Sequence, residues 1–245
     1  MPRPAIVVLL AVLGAALLSM LGYARAGSRR DEDALRKGSR FLLGVGDFLV
    51  HWFLWAISPA ERFFLSAGAT PDAFNVAGLG FGVASGVAVG LGELELGGWA
   101  IALGGFCDIL DGRIARARKL VSPYGKFIDS TLDRFVEVFL FLGLVVYFRN
   151  RPIGAFLAAA SMAGSLLVSY AQARGETVGV SGSGGLMQRA ERLVLLCLVC
   201  LCDPLVAAWR GWAPGTTVLW ALALMALGTF ATAIHRTLWI ARRLS

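Results

Sequence analysis

The feature that most constrains the fold of this chain is the recurrence of apolar runs close in length to a membrane-spanning helix. These runs occupy residues 6–21, 74–91, 99–110, 135–148, 153–170, 193–208 and 217–234. About 20 apolar residues in a helix cross a hydrocarbon core, and the shorter runs reach that length by extending into their polar flanks. Hydrophobic residues make up 57% of the sequence, which excludes an ordinary soluble domain. The sequence predicts an all-α integral membrane protein.

The first 69 residues are predicted to form two segments that precede the main bundle. Residues 1–39 combine an apolar anchor helix with a basic linker, which the positive-inside tendency holds in the cytoplasm. A signal-peptidase site after Ala26 is the alternative to a retained anchor. In residues 40–69, polar and aromatic side chains separate onto two faces at helical spacing, which predicts an amphipathic helix lying in the membrane interface.

Residues 70–245 are predicted to form a bundle of six transmembrane helices. Thr70, Pro71 and Asp72 supply the capping side chain and first-turn proline of its first helix. Basic residues cluster around 113–126, 174–192 and 236–243, which places those helix ends in the cytoplasm; Arg149 and Arg151 fall on the opposite side. The net charge of +7 is assigned to membrane lipids and phosphate ligands rather than to nucleic acid.

Two pairs of aspartates interrupt the apolar pattern. Asp108 and Asp111 are three residues apart and Asp129 and Asp133 are four apart, so each pair shares one face of its helix. A short polar connection joins the two helices, and antiparallel packing would bring the four carboxylates together below the cytoplasmic surface. Carboxylates at membrane depth are costly and indicate a functional site.

The residue types around these acids indicate a metal-bound phosphate ligand. Four carboxylates repel one another unless cations neutralise them, and hard oxygen ligands without histidine favour Mg²⁺, or Mn²⁺, over zinc. Gly112 and Ala115 remove bulk beside the acids, so that Arg116 can reach a pyrophosphate. One of the carboxylates would serve as general base towards an attacking hydroxyl.

The pattern Asp108-Ile-Leu-Asp111-Gly112-Arg-Ile-Ala115-Arg116, followed by Gly125, Asp129 and Asp133, resembles the signature of the CDP-alcohol phosphotransferase family. The resemblance implies transfer of a phosphatidyl group from CDP-diacylglycerol to an alcohol, with release of CMP, by a homodimer. By position, Asp108, Asp111 and Asp129 would bind the metal. Asp133 would be the base and a member of the same metal cluster. Gly112, Ala115 and Arg116 would bind the CDP moiety.

The segments after the signature are similar to those of the phosphatidylinositol-phosphate and archaetidylinositol-phosphate synthases. Arg174, Arg192 and Arg236 are candidates for binding the phosphate of an inositol phosphate acceptor, although anchoring to lipid headgroups is an equal alternative. Gln172 replaces the basic residue usual in that branch. Glycerol 3-phosphate, serine and free inositol therefore stay open as acceptors.

Two other interpretations compete with an enzyme. The acids and their neighbouring arginines Arg113, Arg116 and Arg134 could form a purely structural ion-pair network, or the chain could be a cation-coupled transporter or scaffold. Transporters often carry internally repeated halves. No second acidic motif occurs in the later apolar runs, which favours the enzyme.

Overall fold

The computed structural model describes residues 4–25, 45–180 and 187–244, and this part of the chain folds into α-helices. The helices are α1 (Pro4–Arg25), α2 (Val45–Ser66), α3 (Pro71–Gly90), α4 (Leu94–Ala117), α5 (Pro123–Tyr147), α6 (Pro152–Thr177), α7 (Arg189–Arg210) and α8 (Thr216–Leu244). Most of the predicted basic linker, including the cleavage site considered after Ala26, lies outside the described residues.

Helices α1 and α2 pack against each other through aromatic side chains. The indole Nε1 of Trp52 donates a hydrogen bond to Ser19 Oγ at 2.9 Å. The ring of Tyr23 lies 5.7 Å from that of Phe48 and 5.5 Å from that of Trp55, measured between centroids. Helix α2 falls within the segment predicted to be amphipathic. It packs against α1, the predicted anchor helix.

Capping side chains fix the starts of α3 and α5. Thr70 accepts a hydrogen bond from the Ala73 amide, and Ser122 accepts one from the Gly125 amide at 3.1 Å. Each cap is followed by a proline at the first helical position, whose missing N–H would have no intrahelical partner. The helix start predicted at residues 70–72 is confirmed.

The six helices from α3 to α8 close into a ring. Helix α3 packs on α4 and α5, α4 also packs on α7, α5 also packs on α6, and α8 joins α6 to α7. Fully buried apolar side chains fill the centre of this bundle, among them Val89, Leu140, Leu144, Leu222 and Met225. The ring places α4 and α5, the two helices that carry the motif aspartates, on either side of α3.

Helices α3 and α5 touch through their backbones at Gly86 and Gly143. A Cβ atom on Gly143 would overlap the carbonyl oxygen of Gly86, and one on Gly86 would overlap the carbonyl of Phe139. Small residues allow such close approach in membrane bundles. This contact fixes α5 against α3, and so sets how far its acidic end lies from α4.

Four of the helices, α3, α6, α7 and α8, are long and apolar enough to cross a membrane. Helices α4 and α5 carry the acidic and basic residues of the motif, so hydropathy does not mark them as spans although they complete the same ring. The chain is a helical membrane protein.

The contact between α3 and α5 predicts a difference between two glycine substitutions. Gly143→Ala should destabilise the protein by about 1–3 kcal/mol, because the added methyl group meets backbone that must shift. Thermal unfolding in detergent measures the change. The matched control is Gly80→Ala on α3, where a Cβ meets nothing within 4 Å. Equal melting temperatures for the two variants would contradict the close approach.

Candidate active site

The acidic site is built from the facing ends of α4 and α5. Asp108 on α4 and Asp129 and Asp133 on α5 are half-buried, and their ligand atoms all lie within 4.8 Å of one another. Asp111 is 6% exposed and lies one turn after Asp108, outside this group of three. The structure therefore brings three of the four predicted metal ligands into one cluster and places the fourth beside it, lining the same cleft.

Arg189 bridges two of these carboxylates from the first turn of α7. Its Nη1 donates to Asp108 Oδ1 at 3.0 Å, and its Nη2 lies 2.7 Å from Asp133 Oδ1. A capping box fixes this start of α7, because the Gln188 amide donates to the Glu191 carboxylate at 2.9 Å. One guanidinium thus links α4 to α5 through α7.

Arg189 was predicted to lie with the other arginines at the cytoplasmic helix ends, near the metals, but its bridge between two of the carboxylates was not predicted. The available signal was its spacing, three residues before Arg192 in the segment Arg-Ala-Glu-Arg. That spacing puts both arginines near one face of a helix. It does not show which face meets the acids, since that depends on how α7 packs against α4 and α5.

Gly112 and Arg116 lie against each other on α4. A Cβ at Gly112 would come within 3.2 Å of the Nη1 of Arg116, so the guanidinium lies directly over the glycine backbone. Ala115, in the same turn, is half-buried. This arrangement keeps the Arg116 side chain close to its own helix, one turn beyond Asp111.

A cleft opens beside the acids between α3, α4, α5 and α7. Its polar end carries Asp108, Asp111, Asp133 and Arg189. Apart from Asn75, the remaining lining is small or apolar and consists mainly of Gly78, Gly82, Gly104, Gly105, Ile101, Val136 and Leu140. A ligand in this cleft would meet charge at one end and mainly apolar side chains along the rest, which suits a molecule with a polar head and apolar tails.

Helix α2 is attached to the end of α4 that carries the motif. Arg113 forms a half-buried ion pair with Glu61. Arg118 donates to the carbonyl oxygens of Leu65 and Gly68 at 3.1 and 3.2 Å, which satisfies acceptors at the end of α2. The interaction of Arg113 with α2 was not predicted, because nothing in the sequence pairs residues 52 positions apart.

The three candidate acceptor arginines have different surroundings. Arg174 is exposed near the end of α6. Arg236 is 5% exposed; its Nη1 donates to the Val168 carbonyl and to Gln172 Oε1, and its buried Nε has no hydrogen-bond partner. These two residues stay candidates for an anionic ligand.

Arg192 differs from the expectation that it faces an acceptor. It is 1% exposed, and its Nε and Nη2 both donate to Glu137 Oε1, at 3.0 and 2.7 Å. Its Nη1 donates to the Met187 carbonyl at 2.8 Å. Each guanidinium nitrogen donates a hydrogen bond inside the bundle and the side chain is buried, so Arg192 does not face an acceptor phosphate in this arrangement.

The carboxylate cluster fits a divalent cation. Three carboxylates within 4.8 Å of one another supply hard oxygen ligands, and within the described residues no other group of acids, histidines and cysteines converges in this way. Oxygen ligands of this kind suit Mg²⁺ and Mn²⁺. Arg189, a cation, already lies between two of the three, which shows that this position favours positive charge.

Residues 69–241 match the family described as CDP-alcohol phosphatidyltransferase. The chain belongs to this family. It is therefore a transferase, and its matched region begins at the cap of α3 and ends within α8, so α1 and α2 lie before it. The family uses a divalent metal, in agreement with the acidic cluster. Membership weighs against the transporter, the scaffold and the purely structural ion-pair network.

Two curated relatives are named as synthases of lipid-linked inositol phosphates. A phosphatidylinositol phosphate synthase of Streptomyces avermitilis is 34% identical over 206 residues, which covers 78% of this chain and 80% of the relative. An archaetidylinositol phosphate synthase of Methanothermobacter thermautotrophicus is 34% identical over 167 residues, covering 67% of this chain and 80% of the relative. The resemblance to this branch of the family is confirmed.

Solved structures of the Mycobacterium tuberculosis phosphatidylinositol phosphate synthase share this fold. The form with CDP-DAG bound superposes with a TM-score of 0.64 at 26% identity, covering 74% of this chain and 92% of that chain. The form in complex with manganese and citrate gives a TM-score of 0.65 at 26% identity, covering 74% of this chain and 87% of that chain.

The acidic cluster predicts metal binding that depends on its individual carboxylates. Asp129→Asn should weaken Mn²⁺ binding by at least about tenfold, because a neutral amide replaces a charged oxygen ligand. Electron paramagnetic resonance of free Mn²⁺, titrated with purified protein, gives the affinity. The control is Asp72→Asn, an exposed carboxylate in the first turn of α3. Unchanged affinity in Asp129→Asn would exclude this residue as a ligand.

Proposed function

We propose that this protein transfers the phosphatidyl group of CDP-diacylglycerol to a hydroxyl of inositol phosphate and releases CMP. The observation that carries the proposal is the convergence of Asp108, Asp129 and Asp133 beside a cleft with a polar end and an apolar length. Family membership supplies the reaction class. The names of the relatives supply the preferred acceptor.

The donor would place its diphosphate at the acidic end of the cleft and its acyl chains along the apolar part. Arg116, whose guanidinium lies over Gly112, would form charge-assisted hydrogen bonds to the phosphates of the CDP moiety, and Ala115 keeps that turn of α4 free of bulk. The glycines in the lining permit close approach of a lipid to the helix backbones.

Asp108, Asp111, Asp129 and Asp133 would hold the divalent cation, Mg²⁺ or Mn²⁺. When bound, such an ion neutralises diphosphate oxygens and polarises the phosphorus that is attacked. Asp111 takes part from its buried position one turn along α4, where its carboxylate lines the same cleft as Asp108.

The transfer step is a displacement at the β-phosphorus of the donor. Asp133 accepts the proton of the acceptor hydroxyl, and the oxygen so activated forms a new bond to the β-phosphorus. The bond from that phosphorus to the bridging oxygen breaks, and its electron pair leaves with CMP. The ion pair with Arg189 holds the Asp133 carboxylate beside Asp108 while the acceptor binds.

Basic residues near α6 and α8 support an acceptor that carries a phosphate. Arg236 keeps a buried Nε without a partner, and Arg174 is exposed near the end of α6. Gln172, at the position usually basic in this branch, accepts from Arg236 and donates to Glu176, so it helps to orient Arg236. A phosphomonoester is the anion that such guanidinium groups bind best.

The proposal also includes how the helices are arranged in the membrane. Helices α3 to α8 would all span the bilayer, with the acidic ends of α4 and α5 at the cytoplasmic surface, where most basic residues lie. Helix α1 would anchor the chain and α2 would lie in the interface next to the site. The implied homodimer belongs to this proposal, and cross-linking in native membranes tests it.

The proposed base predicts loss of transfer with retention of the fold. In micelles with CDP-diacylglycerol, Mg²⁺ and inositol phosphate, the wild-type protein should release CMP, and Asp133→Asn should lower kcat by at least about 100-fold. The same assay with glycerol 3-phosphate, serine or free inositol should give little CMP. Full activity of Asp133→Asn would remove the proposed base, and a preference for another alcohol would reassign the acceptor.

The proposed acceptor contact predicts an effect confined to one substrate. Arg236→Met should raise the KM for inositol phosphate by about 10- to 100-fold, the equivalent of a hydrogen bond to a charged group, and leave the KM for CDP-diacylglycerol near that of wild type. Arg210→Met, on the opposite end of the bundle, serves as control. Equal changes in both KM values would indicate a general structural role.

A further inference from the structure

Two ion pairs join α5 to α7, one helical turn apart. On α5, Asp133 and Glu137 are four residues apart; on α7, Arg189 and Arg192 are three apart. Asp133 pairs with Arg189 at 2.7 Å, and Glu137 pairs with Arg192 at 2.7 Å. The first pair belongs to the acidic cluster. The second lies deeper in the bundle and has no part in the transfer step described above.

The deeper pair is buried, and both of its side chains form several hydrogen bonds. Glu137 is 3% exposed and Arg192 is 1% exposed. Ser165 on α6 donates to Glu137 Oε2 at 2.8 Å, while both nitrogens of Arg192 that face Glu137 donate to its other oxygen. The pair therefore joins α5, α6 and α7 with directional bonds at a single point of the bundle.

Stability alone does not account for such a pair. Burying two charges costs several kcal/mol each, and apolar side chains of similar volume often serve as well or better. A buried pair joined by several directional hydrogen bonds adds a fixed direction and register between the helices that it connects.

The element whose register this pair fixes is the start of α7. Arg192 Nη1 donates to the carbonyl of Met187, so the same side chain holds the residue that precedes the helix cap. Between Met187 and Arg192 lies Arg189, whose guanidinium must reach Asp108 and Asp133 at once. A shift of α7 by a fraction of a turn would break one of those two contacts.

We infer that Glu137 and Arg192 are positioning residues for the transfer reaction, which act by holding Arg189 between Asp108 and Asp133. The inference rests on the proposed function for the reaction that it serves. It assigns to Glu137, which lies outside the aspartate motif, a role in setting the geometry of the site, and it replaces the acceptor role expected for Arg192.

The test is a double-mutant cycle between Glu137 and Arg189. Glu137→Gln should lower kcat by about tenfold, because a small misplacement of a site group has effects of this size. The KM for CDP-diacylglycerol should stay within about twofold of wild type, since the donor contacts on α4 are untouched. In an Arg189→Lys background, a single ammonium replaces the guanidinium that contacts both carboxylates. In that background Glu137→Gln should change kcat by less than about twofold. Additive effects in the two backgrounds would overturn the inference.

A second buried acid on α7 provides the structural control. Asp203 is fully buried and accepts hydrogen bonds from the Gly215 amide, the Thr217 amide and the Thr217 hydroxyl at the opposite end of the bundle. Asp203→Asn should lower thermal stability and leave kcat per folded molecule unchanged. If Glu137→Gln behaves in the same way, Glu137 is only structural and the inference fails.

A variant that keeps the bundle packed covers the case in which Glu137→Gln does not fold. The double variant Glu137→Leu/Arg192→Met removes both buried charges at similar volume and should fold. Its kcat should still be lowered about tenfold, because the direction of Arg189 is no longer fixed. Wild-type kcat in this double variant would overturn the inference. A wild-type protein that releases no CMP would instead refute the proposed function.

Discussion

The convergence of carboxylates from two helices is the constraint on which the rest of this structure depends. Two unit charges about 4 Å apart repel by about 4 kcal/mol at the effective dielectric of a protein surface, so the ionised forms of Asp108, Asp129 and Asp133 are strongly favoured by a cation between them. Arg189 provides positive charge between two of them. A divalent ion meets the same requirement and adds the chemistry of phosphoryl transfer.

The bundle around this cluster brings the acids together and holds them there. Backbone contact between Gly86 and Gly143 fixes α5 against α3, and capping by Ser122 fixes where α5 begins. The Glu137–Arg192 pair then sets α7 relative to α5. Each of these interactions acts on a different pair of elements, and together they determine where Arg189 and Asp133 meet.

The region before the matched family segment is connected to the same site. Glu61 on α2 pairs with Arg113, which lies between Gly112 and Ile114 on α4, and Arg118 holds the end of α2. Helix α2 thus contacts the helix that carries the first five residues of the motif, from Asp108 to Arg116. The proposed interfacial location of α2 would place the lipid headgroup region next to the proposed site.

The sequence by itself determined the helical membrane fold, the start of α3, the acids and the family. Apolar runs report spans because a bilayer admits only backbones that satisfy their own hydrogen bonds, and the spacing of Asp108, Asp111, Asp129 and Asp133 reports a shared helix face because that periodicity is local. Only the tertiary structure decided the partners of the arginines. Arg189 pairs with the acids of the site, whereas Arg192, three residues later, pairs with Glu137. Arg113 pairs with Glu61. These choices depend on how α7 and α2 pack against α4 and α5, and contacts between residues more than 50 positions apart leave no periodic trace in a single sequence.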